Sequence, residues 1–246
     1  MNDNFLRIKI INLFRILGLY TFLRFLKNAN AMSRISYSQT GEDSLISQFF
    51  EDESFTYVDI GAGEPICGSN TYYFYKRGMR GILVDPLPAN RILARVIRPR
   101  DVFIESLVGV GSGPQRFWEF EAYQYSTMDP EVADRLKREG TSKVKKQKFV
   151  GMTTLQEITK LIPNPELPWL LSVDVEGVDF SVIKSFDFKV SRPRVICIED
   201  HGFIQNHRSE QHDFILRLGY RLESQTPISL IYIDSKTINS QNPSGL

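Results

Sequence analysis

The run Thr56-Tyr57-Val58-Asp59-Ile60, followed at once by Gly61-Ala62-Gly63, constrains this chain more than any other feature. β-branched and aromatic residues favour a strand. Two glycines directly after it permit a tight turn and let the backbone come close to a ligand. A second strand, Gly81-Ile82-Leu83-Val84, ends on Asp85, 24 residues beyond Gly61. A carboxylate at that place can accept hydrogen bonds from both ribose hydroxyls of an adenosine ligand. Between the two strands a helical stretch from Asn70 to Arg77 stops at Gly78, a natural C-terminal cap.

The alternation continues down the chain. A helix is expected from Pro88 to Ile97 and a third strand from Val102 to Val108. Residues 115–150 read as an insertion, with short strands at 116–120 and 147–150 and a charged helix from Pro130 to Arg138. A helix over 154–161 precedes the buried strand Trp169-Leu170-Leu171-Ser172-Val173, which ends on Asp174. Arg194-Val195-Ile196-Cys197-Ile198 is the fifth strand and ends on Glu199-Asp200-His201. A helix over 209–218 and strands near 220–222 and 229–233 close the pattern. The expectation is an α/β, Rossmann-like, doubly wound and mostly parallel seven-stranded sheet of the class I methyltransferase type, with its ligand at the carboxyl ends of the strands.

The glycine turn also discriminates between cofactors. A dinucleotide needs its pyrophosphate on a helix N-terminus, usually through Gly-x-Gly-x-x-Gly. Here Ile66 stands where the third glycine belongs, and Glu64 would repel a diphosphate. Asp59, just before the turn, suits a cationic group such as the methionine ammonium. These points favour S-adenosylmethionine over NAD. Candidate cofactor contacts are Asp59, Gly61, Gly63, Asn70, Asp85, Ser106 and Asp174.

Composition bounds the rest. The chain has 246 residues, 42% of them apolar, enough for one sizeable core. A net charge of +1 gives no reason to expect nucleic acid as a partner. Cys67 and Cys197 are the only cysteines, and their spacing fits neither a zinc site nor a disulfide framework, which points to a reducing, cytoplasmic compartment. Residues 1–34 carry six bases and one acid, leaving a net −4 on the remainder. This segment is expected to be a basic, apolar helix. Arg15 and Arg24 interrupt it too often for a membrane span. Two readings stand: residues 5–26 lie on a membrane surface, at the inner face, or the helix packs on the domain or on a second copy of the chain in a homo-oligomer. The catalytic domain is expected over 35–234 and a loose polar tail over 235–246.

Several motifs together resemble one family. Tyr37-Ser38-Gln39-Thr40-Gly41-Glu42-Asp43 is similar to the Ser-Gln-x-Gly-Glu-Asp opening of FkbM-type methyltransferases. The 58–63 turn, Ser69-Asn70-Thr71, residues 78–86, Arg98-Pro99-Arg100-Asp101, residues 171–179 and residues 192–199 are similar as well, in order and with sensible spacing. The resemblance covers about residues 36–200. Met79 stands where tryptophan is common, and Asp85 replaces a usual glutamate. The resemblance implies O-methylation of a sugar, glycan or polyketide hydroxyl on a small-molecule or glycan acceptor. It also implies a place near cofactor or acceptor for Gln39, Glu42 and Asp43. The residues alone read Gly41-Glu42-Asp43 as a helix start with acids in the first turn.

A sugar hydroxyl is a poor nucleophile and must lose its proton to a base or a metal. Asp174, Glu176 and Asp179 follow the fourth strand; Glu199, Asp200 and His201 follow the fifth. In one reading His201, Asp174 or Glu176 acts on the proton directly. In the other, Asp174, Glu199 and Asp200 hold Mg²⁺, an ion suited to hard oxygen ligands. Glu176 also reads as an acid at a helix start, and His201 as a loop residue capping a strand end. The insertion's bases, Arg135, Lys137, Arg138, Lys143, Lys145, Lys146 and Lys148, form a solvated face or meet an anionic acceptor. Trp118, Tyr123 and Tyr125 stack on a sugar or fill core. The competing classes are a nucleotide-dependent oxidoreductase, which the missing glycine disfavours, and a non-catalytic module that keeps the fold.

Overall fold

A computed structural model describes residues 36–50 and 53–236. The helix expected over 1–34, with its membrane and oligomer readings, and the tail beyond residue 236 lie outside the described residues.

Seven strands form the central sheet in the order β3-β2-β1-β7-β8-β10-β9. They are β1 (Thr56–Ile60), β2 (Arg80–Val84), β3 (Val102–Ile104), β7 (Trp169–Val173), β8 (Val195–Glu199), β9 (Tyr220–Gln225) and β10 (Ser229–Asp234). The first five are parallel, and β10 runs antiparallel to both β8 and β9. This is the expected Rossmann-like α/β sheet with its closing hairpin.

Strand sequence explains the layering. In β1, Val58 and Ile60 enter one core layer while Tyr57 enters the other; in β7, Leu171 and Val173 oppose Leu170 in the same way. Successive side chains point to opposite faces, and a parallel sheet is covered on both, so its strands read as near-continuous apolar runs. Helices α1 (Glu42–Ser47), α2 (Tyr72–Lys76) and α3 (Pro88–Ile97) lie in the first half of the fold. Among the described residues no helix is long and apolar enough to cross a membrane.

The expected third strand is divided. Residues 102–104 pair with β2, whereas β4 (Leu107–Val108) leaves the sheet and pairs with β6 (Val144–Thr153). The break falls at Glu105-Ser106, where the Ser106 hydroxyl donates to the carbonyls of Leu107 and Gly151 (2.9 and 3.0 Å) and ties the chain to the second sheet. That second sheet, β4-β6-β5, is the insertion: β5 (Gly113–Phe120) pairs antiparallel with β6. Between them lie a 3₁₀ turn (Tyr123–Tyr125) and α4 (Pro130–Glu139). Asp129 caps α4 by accepting from the backbone of Glu131 and Val132, with Pro130 at the first helical position and Gly140 closing it. α5 (Leu155–Thr159) begins with a Thr154/Glu157 capping box. α6 (Asp179–Lys184), α7 (His201–Asn206) and α8 (Glu210–Arg217) complete the helices used below.

Candidate active site

Strand order reverses between β1 and β7, and open α/β sheets bind ligands at such a switch point. The turn after β1 is built for contact. Gly61 has φ +77°, and a Cβ there would lie 1.7 Å from the Asp174 carbonyl oxygen, so only glycine lets the ends of β1 and β7 meet. The Asp174 amide donates to the Ile60 carbonyl at 3.0 Å across this junction. Asp85 fixes the other side of the turn, accepting from the Gly63 amide (3.1 Å) and the Leu87 amide (2.8 Å).

A cavity of about 360 Å³ opens over this junction. Its floor is Gly61, Gly63, Asp85 and Asp174; Gln39 and Cys67 stand on one side. Ser106, Leu107, Phe117, Tyr123, Thr127 and Met128 give a wall from the insertion, and Glu176 lies on the β7 side. The volume lies at the small end of the range for small-molecule sites. The charged lining residues are Glu64, Asp85, Asp174 and Glu176; no lysine, arginine or histidine lines the cavity among the described residues.

The acids at the ends of β7 and β8 repel one another. Burial, with Asp174 and Asp179 beside it, pushes Glu176 up to about 8. Burial, with Glu176 and Asp179, pushes Glu199 up to about 8. Burial and then Glu199 hold Asp174 well above the usual carboxylate range. Asp179 is also raised by burial, although its carboxylate accepts from the amides of Val175 (2.9 Å) and Gly177 (3.3 Å). A carboxyl group with a pKa near 8 is half ionised at mildly alkaline pH, and its ionised form is then a stronger proton acceptor than an ordinary carboxylate.

Of the residues singled out from the sequence, Gln39, Gly61, Gly63, Asp85, Ser106, Asp174 and Glu176 line the cavity. Others lie elsewhere. Asp59 faces the layer opposite Val58 and Ile60, is 4% exposed and accepts from the Thr71 hydroxyl at 2.6 Å. It is not at the cavity to meet an ammonium group, because it lies within the sheet, two register positions before Asp85 and Asp174. Asn70 donates to the Ser172 hydroxyl (3.2 Å). Asp43 is fully buried and organises residues 36–44, accepting from the Ser36 hydroxyl (2.6 Å), the Tyr37 amide (2.7 Å) and the Ser38 hydroxyl (3.0 Å). Glu42 accepts from the Thr40 amide and hydroxyl and from the Thr226 hydroxyl (2.8 Å). Burial alone would raise the Glu42 pKa, but these donors outweigh it and leave it lowered. Glu42 and Asp43 therefore hold the fold together and stand outside the cavity lining.

The Mg²⁺ set is corrected by the geometry. Asp174, Glu199 and Asp200 do not converge: among the described residues no three His, Cys, Asp or Glu are placed to hold an ion. Asp200 is turned away as the N-cap of α7, accepting from the Phe203 amide (2.9 Å) and the Ser209 hydroxyl. His201 sits on α7 with its side chain 61% exposed, Nε2 3.3 Å from Glu199, and does not line the cavity. The strand-end position was right; the helix that starts there carries the ring outward.

The insertion's aromatic residues and bases divide between the two readings open to each. Trp118 joins a core with Phe120, Ala133 and Leu136, while Tyr123 lines the cavity. Of the insertion's bases, Lys145 and Lys148 pair with Glu119, and Lys137 pairs with Asp134.

No curated protein matches the chain. The sequence model described as the methyltransferase FkbM domain matches residues 59–222, a span that holds the glycine turn, Asp85, the insertion and both acidic strand ends. The chain belongs to the FkbM methyltransferase family.

Proposed function

We propose that this methyltransferase takes its methyl group from S-adenosylmethionine and delivers it to a hydroxyl of a sugar, glycan or polyketide-type metabolite. The observation that carries the cofactor half is the make-up of the cavity: four acidic side chains and no base among the described lining residues. Such a lining holds no cation to neutralise a pyrophosphate and offers oxygen acceptors to an ammonium group, which speaks against NAD and for a ligand bearing both a sulfonium and an ammonium. Asp85, which lines the cavity, is the proposed acceptor for the ribose hydroxyls, and the lining residues Leu107, Phe117 and Met128 are the proposed apolar surface for a base. S-adenosylmethionine, when bound, supplies a methyl group already activated as a sulfonium.

The remaining work falls to the chain. Glu176 faces the cavity with its pKa raised to about 8 and is the proposed proton acceptor for the incoming hydroxyl; Asp174 lies beside it. The insertion wall limits water and orients the acceptor. Holding acceptor and donor in line supplies much of the rate enhancement in a displacement of this kind.

Calorimetric titration with S-adenosylhomocysteine, alongside NAD, tests the reading. S-adenosylhomocysteine should bind and NAD should not. Asp85→Ala should weaken binding about 100-fold, because two hydrogen bonds to a carboxylate are lost. Binding of NAD alone, or an Asp85→Ala variant with wild-type affinity, would overturn it.

A further inference from the structure

Glu176 holds an unusual backbone conformation. Its φ is +53°, and among the described residues only His207 is another non-glycine at positive φ. Left-handed backbone at a long side chain persists only where its surroundings hold it. Three contacts hold it here. The Asp179 carboxylate accepts from the amides on either side, those of Val175 and Gly177. Gly177, at φ +105°, is pressed against α4, where a Cβ would lie 2.6 Å from Val132 Cγ2. The third contact comes from outside the segment: the Thr127 hydroxyl donates to the Glu176 carbonyl at 2.8 Å.

Thr127 is itself locked. It is 1% exposed, and its backbone pairs with Trp118 in both directions (2.9 and 3.1 Å). Its hydroxyl accepts from the Asp129 amide at 2.9 Å, so donor and acceptor capacity are both engaged. An isolated antiparallel bridge between Thr127 and Trp118 of β5 thus ends in one hydrogen bond to the backbone of a cavity acid. Thr127 and Glu176 both line the cavity.

We propose that Thr127 is a positioning residue: through its hydroxyl the insertion sheet sets the backbone of Glu176 and thereby aims the Glu176 carboxyl into the cavity. This rests on the role of Glu176 proposed above. The insertion then does more than wall the cavity. The side chain's placement beside Asp174, Asp179, Glu199 and Arg135, the charged groups that act on it, depends on this clamp.

The test is ¹³C NMR of glutamate-labelled full chain, with the Glu176 carboxyl assigned by its loss in Glu176→Gln. In the wild type this resonance should titrate near 8. Thr127→Val, which removes the hydroxyl and keeps the shape, should bring the midpoint down by about one unit or more as the carboxyl leaves its buried place and its acidic neighbours. Thr127→Ser keeps the hydroxyl and should titrate as the wild type does. A folded Thr127→Val with an unchanged midpoint overturns the proposal. So does a shifted midpoint in Thr127→Ser, the deciding variant if the valine protein does not fold. S-adenosylhomocysteine binding, measured on the same samples, separates the two levels: wild type that fails to bind refutes the cofactor reading, whereas normal binding with an unmoved midpoint refutes the clamp alone.

Discussion

Beneath β1 and at the ends of β7 and β8 the protein buries carboxylates in two different ways. Under the sheet, Arg98 places every guanidinium donor: on Asp101 (2.7 Å), on the Tyr57 and Thr71 hydroxyls (3.0 and 2.9 Å), on Ser69 (3.1 Å) and on the Pro65 carbonyl (3.4 Å). Asp59 joins this set through Thr71. The Arg98 and Asp101 side chains are 0% and 1% exposed and form a closed ion pair, whereas Asp59, one step removed through Thr71, is raised by burial. At the strand ends, Asp174, Glu176, Asp179 and Glu199 crowd each other, and all four are raised. Arg135 is the cation that acts against the rise at Glu176, and His201 against that at Asp179. Asp101, in direct contact with its cation, holds the fold; the strand-end acids, which outnumber the cations near them, keep their protons and can exchange them with a ligand.

The comparison breaks most visibly if Arg98 is removed. Arg98→Met leaves Asp101 buried without its partner and should cost about 3–5 kcal/mol in urea denaturation. A loss under about 1 kcal/mol would show that the network is not held by its charge.

The strand-end acids should respond to pH instead. Glu176 and Glu199 each move from an ordinary value of 4.5 to about 8 in the folded chain. Between those values the folded state binds more protons than the unfolded one, so stability falls as pH rises through this window. The melting temperature should therefore drop between pH 5 and pH 8.5, by about 2–4 °C for each kcal/mol lost. Glu176→Gln and Glu199→Gln should each flatten the fall. A melting temperature that rises over the same window would contradict the assignment of these groups as uncompensated.

The smallest effect is expected at His201. Its exposed ring contacts Glu199 but not the cavity, so His201→Ala should change stability by no more than about 0.5 kcal/mol. Binding of S-adenosylhomocysteine should stay within twofold, about 0.4 kcal/mol. A large loss of binding would return the ring to the site.

Asp59, Asp85 and Asp174 show how far sequence reading reaches. All three stand at or near strand ends and read as cofactor contacts, Asp59 for an ammonium group and Asp85 for ribose hydroxyls. Asp85 and Asp174 follow the last strand residues and line the cavity; Asp59 is still inside β1. Asp59 lies two register positions before Asp85 and Asp174, within the sheet rather than beyond its edge, and there Thr71 and Arg98 take it up. His201 and Asp200 went astray differently: a helix begins at that strand end, and its cap consumes the aspartate that was expected to bind a metal.

Residue order alone carried the sheet, its strand-by-strand sequence, the glycine turn with Asp85, and the family, because each is written in local periodicity and short spacing. Tertiary structure decided which acids meet. Burial, with Asp174 after β7 and Asp179 on α6, raises Glu176, and the hydroxyl that holds its backbone comes from an insertion 49 residues earlier in the chain. Electrostatics and burial depend on distances in space, and no local pattern records that Thr127 and Glu176 are neighbours.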